Sequence, residues 1–333
     1  MIRPFSSGAE IDCRSYSLPL QRVIADFGAD VPFGKIPGKL QEHHGISVPV
    51  SSAQSITQRH AQQVHCGQTL QEEIPSAAGV VQLVAQMDGT SIPIVETRLE
   101  RTPEGDIIDR RKTRQVSKRE ARLSLVRPSD SKQPHFGTTF GSVDEAGAQL
   151  LNSAIIMGMG CKTQIHGVGD GAPWIALQFD TQFGDQSTYL LDFFHLSEYL
   201  AEASQCCAPD DPNQWLSIQK SRLKANQVAL VLAELEPFLE ADSVADPQAP
   251  VRCAYRYMSN RPDHLDYQGA INAELPIGSG EIESAHRYVI LDRLDIAGAW
   301  WTVEKAEHLM SMMALRENGG WDSYWKEQMP YAA

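Results

Sequence analysis

Runs of apolar and β-branched residues, separated by turn signals, predict a sheet through the middle of the chain. Residues 80–95 read as a buried strand that breaks at Asp88-Gly89-Thr90 and resumes as a paired strand over 91–95. Asp88 then ends the first strand, although an Asp-Gly pair also makes hairpin turns with no further role. Further strands are predicted over residues 121–126, 163–170, 174–179 and 189–194.

Apolar residues at helical spacing predict helices on both sides of this region. Three short ones come first, over 20–27 with Gly28 at the end, over 32–44, and over 51–64 with Ser51 or Ser52 as N-cap. Later helices are predicted over residues 142–157, 195–203, 215–235 and 250–259, from about 281, and from Thr302 to about 316. Strands that alternate with helices indicate an α/β protein.

The same pattern divides the chain into parts. We expect a flexible tail over 1–16, a helical domain over 17–75, and a mixed α/β core over 79–203. Residues 204–274 read as a helical insertion, and 275–333 as helices that return to the core.

The first helical domain has the spacing of a helix-turn-helix. Its third helix, 51–64, is the candidate recognition helix. Gln58 and Arg59 lie on its polar face, and such side chains can read the edges of bases. A small helical packing module with a solvated polar face explains the same pattern, so both interpretations stay open.

Composition and charge limit the possible functions. The chain is 42% hydrophobic and 21% charged, which is typical of a globular protein. No apolar run approaches the roughly 20 residues of a membrane span, and the N-terminus lacks the apolar core of a signal peptide. We therefore expect a cytoplasmic protein with no membrane partner. Its six cysteines form no CxxC pair, so no zinc ribbon is indicated.

The formal net charge of −13 disfavours tight non-specific binding to DNA. A local basic face is still compatible with it. One segment is rich in positive charge, and a solvated loop is the alternative to a phosphate-binding hairpin there. Its basic residues are Arg110, Arg111, Lys112, Arg114, Lys118, Arg119 and Arg122.

Three carboxylates stand where a metal site is expected. Asp88 ends the first strand, Asp170 ends the fourth in a glycine-rich turn, and Glu283 lies in the first turn of a helix. Such an oxygen-rich cluster suits two Mg²⁺ or Mn²⁺ ions, which together promote in-line phosphoryl displacement. Glu281 is a rival to Glu283, and the two point about 200° apart on a helix.

Four blocks of sequence resemble a known family. MDGTSIPIV, GVGDGAPWI, YLLDFFHLSEYL and IGSGEIESAHRYVI…RLDIAGAWW are similar, in this order, to signature blocks of ISKra-type insertion-sequence transposases, which are relatives of the Mutator-like transposases. The resemblance covers roughly residues 15–316. It implies a ribonuclease-H-like core with a helical insertion, and a DDE site of Asp88, Asp170 and Glu283 that binds two metal ions.

The resemblance also assigns supporting residues. Asp192 and His195 match a DxxH motif that supports the site or contacts DNA. Of the basic residues that usually follow the glutamate only Arg293 remains, as a candidate DNA contact, and Asp292 and Asp295 place negative charge there.

The function implied is that of a DNA transposase. It would cut transposon ends as a metal-dependent endonuclease, join them to target DNA in transposition and recombination, and act as a homo-oligomer on DNA. A catalytically inactive, transposase-derived DNA-binding protein and a nuclease that cuts without joining are the alternatives.

Overall fold

A five-stranded mixed sheet organises the part of the chain that the computed structural model describes, residues 11–12, 16–103 and 105–328. The strand order is β3-β2-β1-β4-β5. The first three strands are antiparallel, whereas β4 runs parallel to both β1 and β5. The strands are β1 Gln82–Thr97, β2 Arg114–Pro128, β3 His135–Thr139, β4 Gln164–Gly169 and β5 Ser187–Leu191. The predicted α/β class is confirmed.

Helices surround the sheet and precede it. They are α1 Leu18–Asp30, α2 Ile36–His44, α3 Val50–Gly67, α4 Val143–Ile156, α5 Pro173–Phe183, α6 Phe193–Cys207, α7 Pro212–Lys224, α8 Val228–Leu235, α9 Pro250–Ser259, α10 Tyr267–Asn272, α11 Gly280–Ala285, α12 Val303–Glu317 and α13 Trp321–Gln328. A π-helical segment, His286–Leu291, and a short turn, Asp292–Leu294, continue α11.

Strand β1 is continuous where a turn was predicted. Asp88 pairs with Leu123 and Thr90 with Ala121, within a ladder that runs from Leu83↔Pro128 to Thr97↔Arg114. The predicted break at Asp88-Gly89-Thr90 is therefore wrong, since pairing with the long strand β2 outweighs the local turn preference.

The two edges of β1 have different partners. Strand β4 pairs with β1 only from Gln82 to Gln86, so beyond that point β1 has β2 on one side alone. Pro93 lies in this part, as expected for a residue that strands tolerate only at edges. Further on, the amide of Val95 donates to the carbonyl of Trp301 at 2.7 Å.

Two apolar cores lie on the two faces of the sheet. One contains Leu83 and Met87 and is covered by α4, α5, α6 and the insertion helices α7–α10. The other contains Ile92 and Leu123 and is covered by α11, α12 and the segment between them. Alternate residues of β1 thus face opposite cores, as the pleat of a strand requires.

Several predicted helix boundaries are confirmed. Ser142 and Glu145 form a capping box at the start of α4, and Thr302 caps α12. Helix α9 spans the predicted residues 250–259. Strand β4 lies within the predicted strand 163–170, and strand β5 overlaps the first part of the predicted strand 189–194.

Other boundaries differ. Residues 174–179, predicted as a strand, belong to α5, where Ile175, Phe179 and Phe183 are buried at helical spacing. The predicted helix 215–235 is two helices, α7 and α8, because Asn226 between them has a φ of 56°. Helix α13 was not predicted. The predicted flexible tail, 1–16, lies mostly outside the described residues.

The N-terminal helices also differ in detail. Gly28 lies inside α1 rather than at its end, and a Cβ there would stand 2.2 Å from Oγ1 of Thr57. Glycine therefore allows α1 and α3 to approach closely. Helix α3 begins at Val50, so Ser51 and Ser52 lie in its first turn and not at the cap. No helix within the described residues is long and apolar enough to cross a membrane.

Arg293 ties the N-terminal helices to the core. It is 2% exposed, its Nε donates to the carbonyl of Gly28 at 2.8 Å, and its guanidinium lies 4.6 Å from the ring centre of Phe33 and 4.8 Å from that of Trp301. The side chain of Arg293 is therefore not exposed in the way that a contact with the DNA backbone at the surface requires, and its predicted DNA contact stays a prediction. Burial lowers its pKa to about 10, which still leaves it charged at neutral pH.

Replacing Arg293 should destabilise the protein. In Arg293→Lys the charge remains, but the contacts of the guanidinium with the rings of Phe33 and Trp301 and the hydrogen bond from Nε are lost. We expect the free energy of unfolding to fall by about 2–4 kcal/mol, measured by urea denaturation. Arg287→Lys is the control, because the Arg287 side chain is 82% exposed and should change stability by less than about 0.5 kcal/mol. Equal stability of the two variants would show that the buried guanidinium is dispensable.

His135, at the start of β3, makes stability depend on pH. Its Nδ1 lies 3.0 Å from Oγ of Ser153, and burial lowers its pKa from 6.5 to about 4. Between these values the unfolded chain binds a proton that the folded chain does not, so stability falls as the pH falls. From pH 7 to pH 5 this one group should remove about 2 kcal/mol of unfolding free energy.

The variant His135→Gln should lack that part of the pH dependence. Urea denaturation at pH 7 and pH 5 measures it, and the exposed His43, changed to Gln, serves as the control. The same loss on acidification in His135→Gln as in the unaltered protein would contradict the assignment.

Candidate active site

Asp88 lies at the point where β1 loses its neighbour β4. Its side chain is 33% exposed, Oδ1 accepts from the amide of Gly89 at 2.7 Å, and Oδ2 lies 3.1 Å from Nε2 of His286. The carboxylate thus comes from a buried central strand but has access to solvent.

Asp170 follows β4 directly. The parallel pairing of β1 with β4 ends at Gln86↔Val168, so Asp88 and Asp170 each lie two residues beyond the last pair. Oδ1 of Asp170 accepts from the amide of Ala172 at 2.9 Å, and its Oδ2 has no hydrogen-bond partner among the described residues. Both predicted aspartates therefore lie next to the point where β1 and β4 separate.

The helical insertion holds the turn that contains Asp170. The hydroxyl of Tyr257, from α9, donates to the carbonyl of Asp170 at 2.5 Å, and Arg261 donates to the carbonyl of Gly171 at 2.9 Å. Burial, followed by nearby negative charges including Asp170, raises the pKa of Tyr257 above its usual range. The phenol stays protonated and can keep donating. Sequence reasoning missed both residues, since neither belongs to a motif.

The two glutamates of α11 have different surroundings. Glu281 forms a bidentate pair with Arg127 of β2, with contacts of 2.8 and 2.6 Å. Glu283 is exposed, and its Oε1 lies 3.4 Å from Oγ of Ser279. Because Glu281 already neutralises a mostly buried arginine, Glu283 is the freer carboxylate of the two.

A buried glutamine fixes α11 against β1. Gln86 is fully buried, its Oε1 accepts from the amide of Ile282 at 2.9 Å, and its Nε2 lies 3.4 Å from the carbonyl of Gly278. Gln86 precedes Asp88 by two residues on the same face of β1. The helix that carries Glu283 is thus anchored next to Asp88.

Asp192 holds the other side of the same loop. It is 2% exposed and accepts four hydrogen bonds, at 2.5–2.9 Å, from the amides of Phe194 and His195 and from the amide and hydroxyl of Ser279. It caps α6 and also holds the glycine-rich segment that precedes α11. Asp192 is therefore a positioning residue.

His195 binds Asp192 only through its backbone amide, which donates to Oδ1 of Asp192. Its ring is 41% exposed, and it lies 6.0 Å from the ring of Tyr257 and 5.4 Å from that of Tyr199, measured between centroids. Because Tyr257 binds the turn that contains Asp170, the ring of His195 lies next to the predicted site. The ring itself forms no hydrogen bond to Asp192.

His286 was missed by sequence reasoning. It follows Glu283 by three residues, is 4% exposed, and begins the π-helical segment. Its contact with Asp88 brings the two groups within ion-pairing distance but lacks hydrogen-bond geometry, and neither ring nitrogen has a hydrogen-bond partner. π-Helical turns are frequent at functional sites, but they leave no reliable signal in a single sequence.

The chemistry of the donors suits a hard divalent cation. Asp88, Asp170 and Glu283 offer carboxylate oxygens, which Mg²⁺ and Mn²⁺ prefer. Within the described part of the chain, however, no group of three or more His, Cys, Asp or Glu side chains could hold a metal ion. The fold brings β1, the end of β4 and helix α11 close together. The carboxylates of Asp88, Asp170 and Glu283, however, do not meet at one point.

The hairpin of β1 and β2 carries the predicted phosphate-binding residues. Arg110, Arg111, Lys112, Arg114, Lys118 and Arg119 are all exposed. None of them forms an ion pair with a carboxylate that the structure describes. Arg122 differs, because it pairs with Glu120 and donates to the carbonyl of Gly141. The segment from Arg110 to Arg119 is thus a surface with six exposed cations, none of which forms an ion pair with a described carboxylate.

The predicted recognition helix is partly covered. One side of α3 packs along α12, where Nδ1 of His65 lies 2.9 Å from Oγ of Ser311. Arg59 is half-buried and contacts Gln21 and His60. Gln58 lines two clefts of the surface. Base reading by Gln58 and Arg59 stays a prediction.

Comparison of the chain with models of known protein families and with curated proteins gave no match. The resemblance to the transposase family therefore rests on the four sequence blocks.

The buried Asp192 should be sensitive to loss of its charge. In Asp192→Asn one carboxylate oxygen becomes an amide group that faces hydrogen-bond donors. We expect the free energy of unfolding to fall by about 2–4 kcal/mol, measured by urea denaturation.

The matched control is Asp211→Asn. Asp211 caps α7 with a single bond to the amide of Gln214, and its side chain lies at the surface. Asparagine caps helices as well as aspartate does, so this variant should keep its stability. Equal stability of Asp192→Asn would mean that Asp192 does not hold the loop.

Proposed function

We propose that this protein is a DNA transposase with a ribonuclease-H-like core and a DDE site formed by Asp88, Asp170 and Glu283. One observation carries the proposal: Asp88 and Asp170 each follow the last parallel pair, Gln86↔Val168, by two residues, and Gln86 also anchors the helix of Glu283 to β1. Three antiparallel strands followed by two parallel ones, in the order β3-β2-β1-β4-β5, support the same core.

The proposed chemistry would need divalent cations, and the three carboxylates, which do not converge in this structure, would have to draw together to bind them. Asp88, Asp170 and Glu283 would then hold two Mg²⁺ or Mn²⁺ ions, which would supply activation of a nucleophilic oxygen and stabilisation of the leaving oxygen of a phosphodiester. Asp192 and Gln86 keep the glutamate's helix in place, and Tyr257 orients the turn of Asp170. His286 contacts Asp88 and restrains its carboxylate.

DNA binding is assigned to the exposed hairpin. Arg110, Arg111, Lys112, Arg114, Lys118 and Arg119 offer positive charge to phosphates. The hairpin continues from the strand that carries Asp88, so DNA bound along it leads to the site. The N-terminal helices would add contacts through Gln58 and Arg59. Because two transposon ends are handled together, we expect a homo-oligomer on DNA.

Cleavage and joining of DNA test the proposal directly. Labelled DNA with the ends of the element that encodes the protein is incubated with Mg²⁺ or Mn²⁺. We expect nicked and joined products that require metal, and a loss of roughly 10³-fold or more in Asp170→Ala. Asp185→Ala, at an exposed position outside the site, should retain activity.

The two glutamates give an internal control for this assay. Glu283→Gln should lose activity, whereas Glu281→Gln should keep it and lose only stability, since it breaks the pair with Arg127. Binding of Mn²⁺, followed by electron paramagnetic resonance, should weaken in Asp88→Ala and in Glu283→Gln. The opposite ranking of the two glutamates would overturn the assignment.

Other outcomes favour the alternatives. Metal-dependent nicking without joined product would indicate a nuclease. End-specific binding with no cleavage, unchanged in Asp170→Ala, would indicate an inactive DNA-binding protein. The acidic Asp292 and Asp295 after the π-helical segment favour this last alternative, because they oppose phosphate where Arg293 was expected to attract it.

A further inference from the structure

A cleft of about 530 Å³ lies where three parts of the chain meet. Helix α3 contributes Gln54 and Gln58, the hairpin contributes Arg111, and the segment before α12 contributes Arg293 and Trp300. None of the residues that line it, all within the described part of the chain, is acidic. In a protein with a net charge of −13, such a lining favours an anionic ligand.

Arg293 has a hydrogen-bond donor that the protein does not use. Its guanidinium contacts the rings of Phe33 and Trp301, which also line the cleft, and its Nε donates to the carbonyl of Gly28. The buried Nη2, in contrast, has no hydrogen-bond partner. A buried donor without an acceptor is costly, and the residue that carries this donor lines the cleft, so an acceptor from a ligand would offset the cost.

Trp300 offers a stacking surface in the same cleft. It is 42% exposed, although large aromatic side chains are usually covered. The guanidinium of Arg114 lies 5.1 Å from its ring centre. Exposed aromatic rings next to arginines are the combination with which proteins bind single-stranded nucleic acids, since bases stack on the ring and phosphates pair with the cations.

We propose that this cleft binds one unpaired nucleotide of DNA, with the base stacked on Trp300 and its phosphate beside Arg111. The amides of Gln54 and Gln58 then face the polar edge of the base, as glutamine side chains do in other DNA complexes. A cleft of this volume is the size of a small-molecule site and cannot admit a duplex. The inference rests on the proposed function only in taking DNA as the partner.

Binding without cleavage tests the inference. In the presence of EDTA, fluorescence anisotropy compares a short labelled duplex with the same duplex carrying one unpaired terminal nucleotide. We expect roughly tenfold tighter binding of the second DNA. Trp300→Ala should remove this preference and Trp300→Phe should retain most of it. Thermal unfolding checks that both variants are folded.

Two neighbouring arginines provide the matched pair. Arg111→Gln removes a charge that lines the cleft, and Arg110→Gln removes one that does not. Both should weaken binding to the duplex similarly, but only Arg111→Gln should reduce the preference for the unpaired nucleotide. A preference that survives in Trp300→Ala, or is absent from the unaltered protein, overturns the inference.

The same experiment separates this inference from the proposed function. Duplex binding with no preference removes the role of the cleft and leaves the transposase proposal intact. No binding to either DNA overturns both. Loss of preference in Trp300→Ala together with normal duplex binding supports the nucleotide site whether or not the protein cleaves DNA.

Discussion

The length of β1 is the constraint on which the rest of the arrangement depends. Its backbone is paired with β2 along the whole strand, but β4 covers only its first part, up to Gln86. A free strand edge has to be covered or kept short, and here the backbone of Trp301 caps it at Val95. Between these two points lies Asp88, which is why a residue of a central strand can have an exposed carboxylate.

Two independent sets of contacts bring other groups to this gap. From the second face of the sheet, Gln86 and Asp192 hold the loop before α11 and so determine where Glu283 stands. From the side of the insertion, Tyr257 and Arg261 hold the carbonyls of the turn that contains Asp170. The insertion therefore does more than separate the second aspartate from the glutamate in sequence. It supplies two of the donors that shape the turn.

Local signals predicted part of this structure. The capping residues Ser142 and Thr302 and the apolar strand before Asp170 are decided by neighbours in sequence, and they were found. The break at Asp88 was predicted wrongly, because only the pairing with Leu123 shows that Asp-Gly lies inside a strand. The burial of Arg293 and the approach of His286 to Asp88 depend on contacts between distant parts of the chain, which one sequence does not reveal.

The distribution of positive charge links the site to the surface around it. Several arginines of the acidic chain are engaged in ion pairs, such as Arg127 and Arg316, and Arg293 is enclosed by aromatic rings. The cations of the hairpin from Arg110 to Arg119, by contrast, are exposed and form no ion pair with a described carboxylate. Phosphates compete poorly for arginines already neutralised by carboxylates, so under the proposed function the unpaired cations of this hairpin are the ones available to DNA. The hairpin continues the strand that carries Asp88, and its Arg111 lines the cleft of Trp300. The same basic segment therefore connects the two candidate sites.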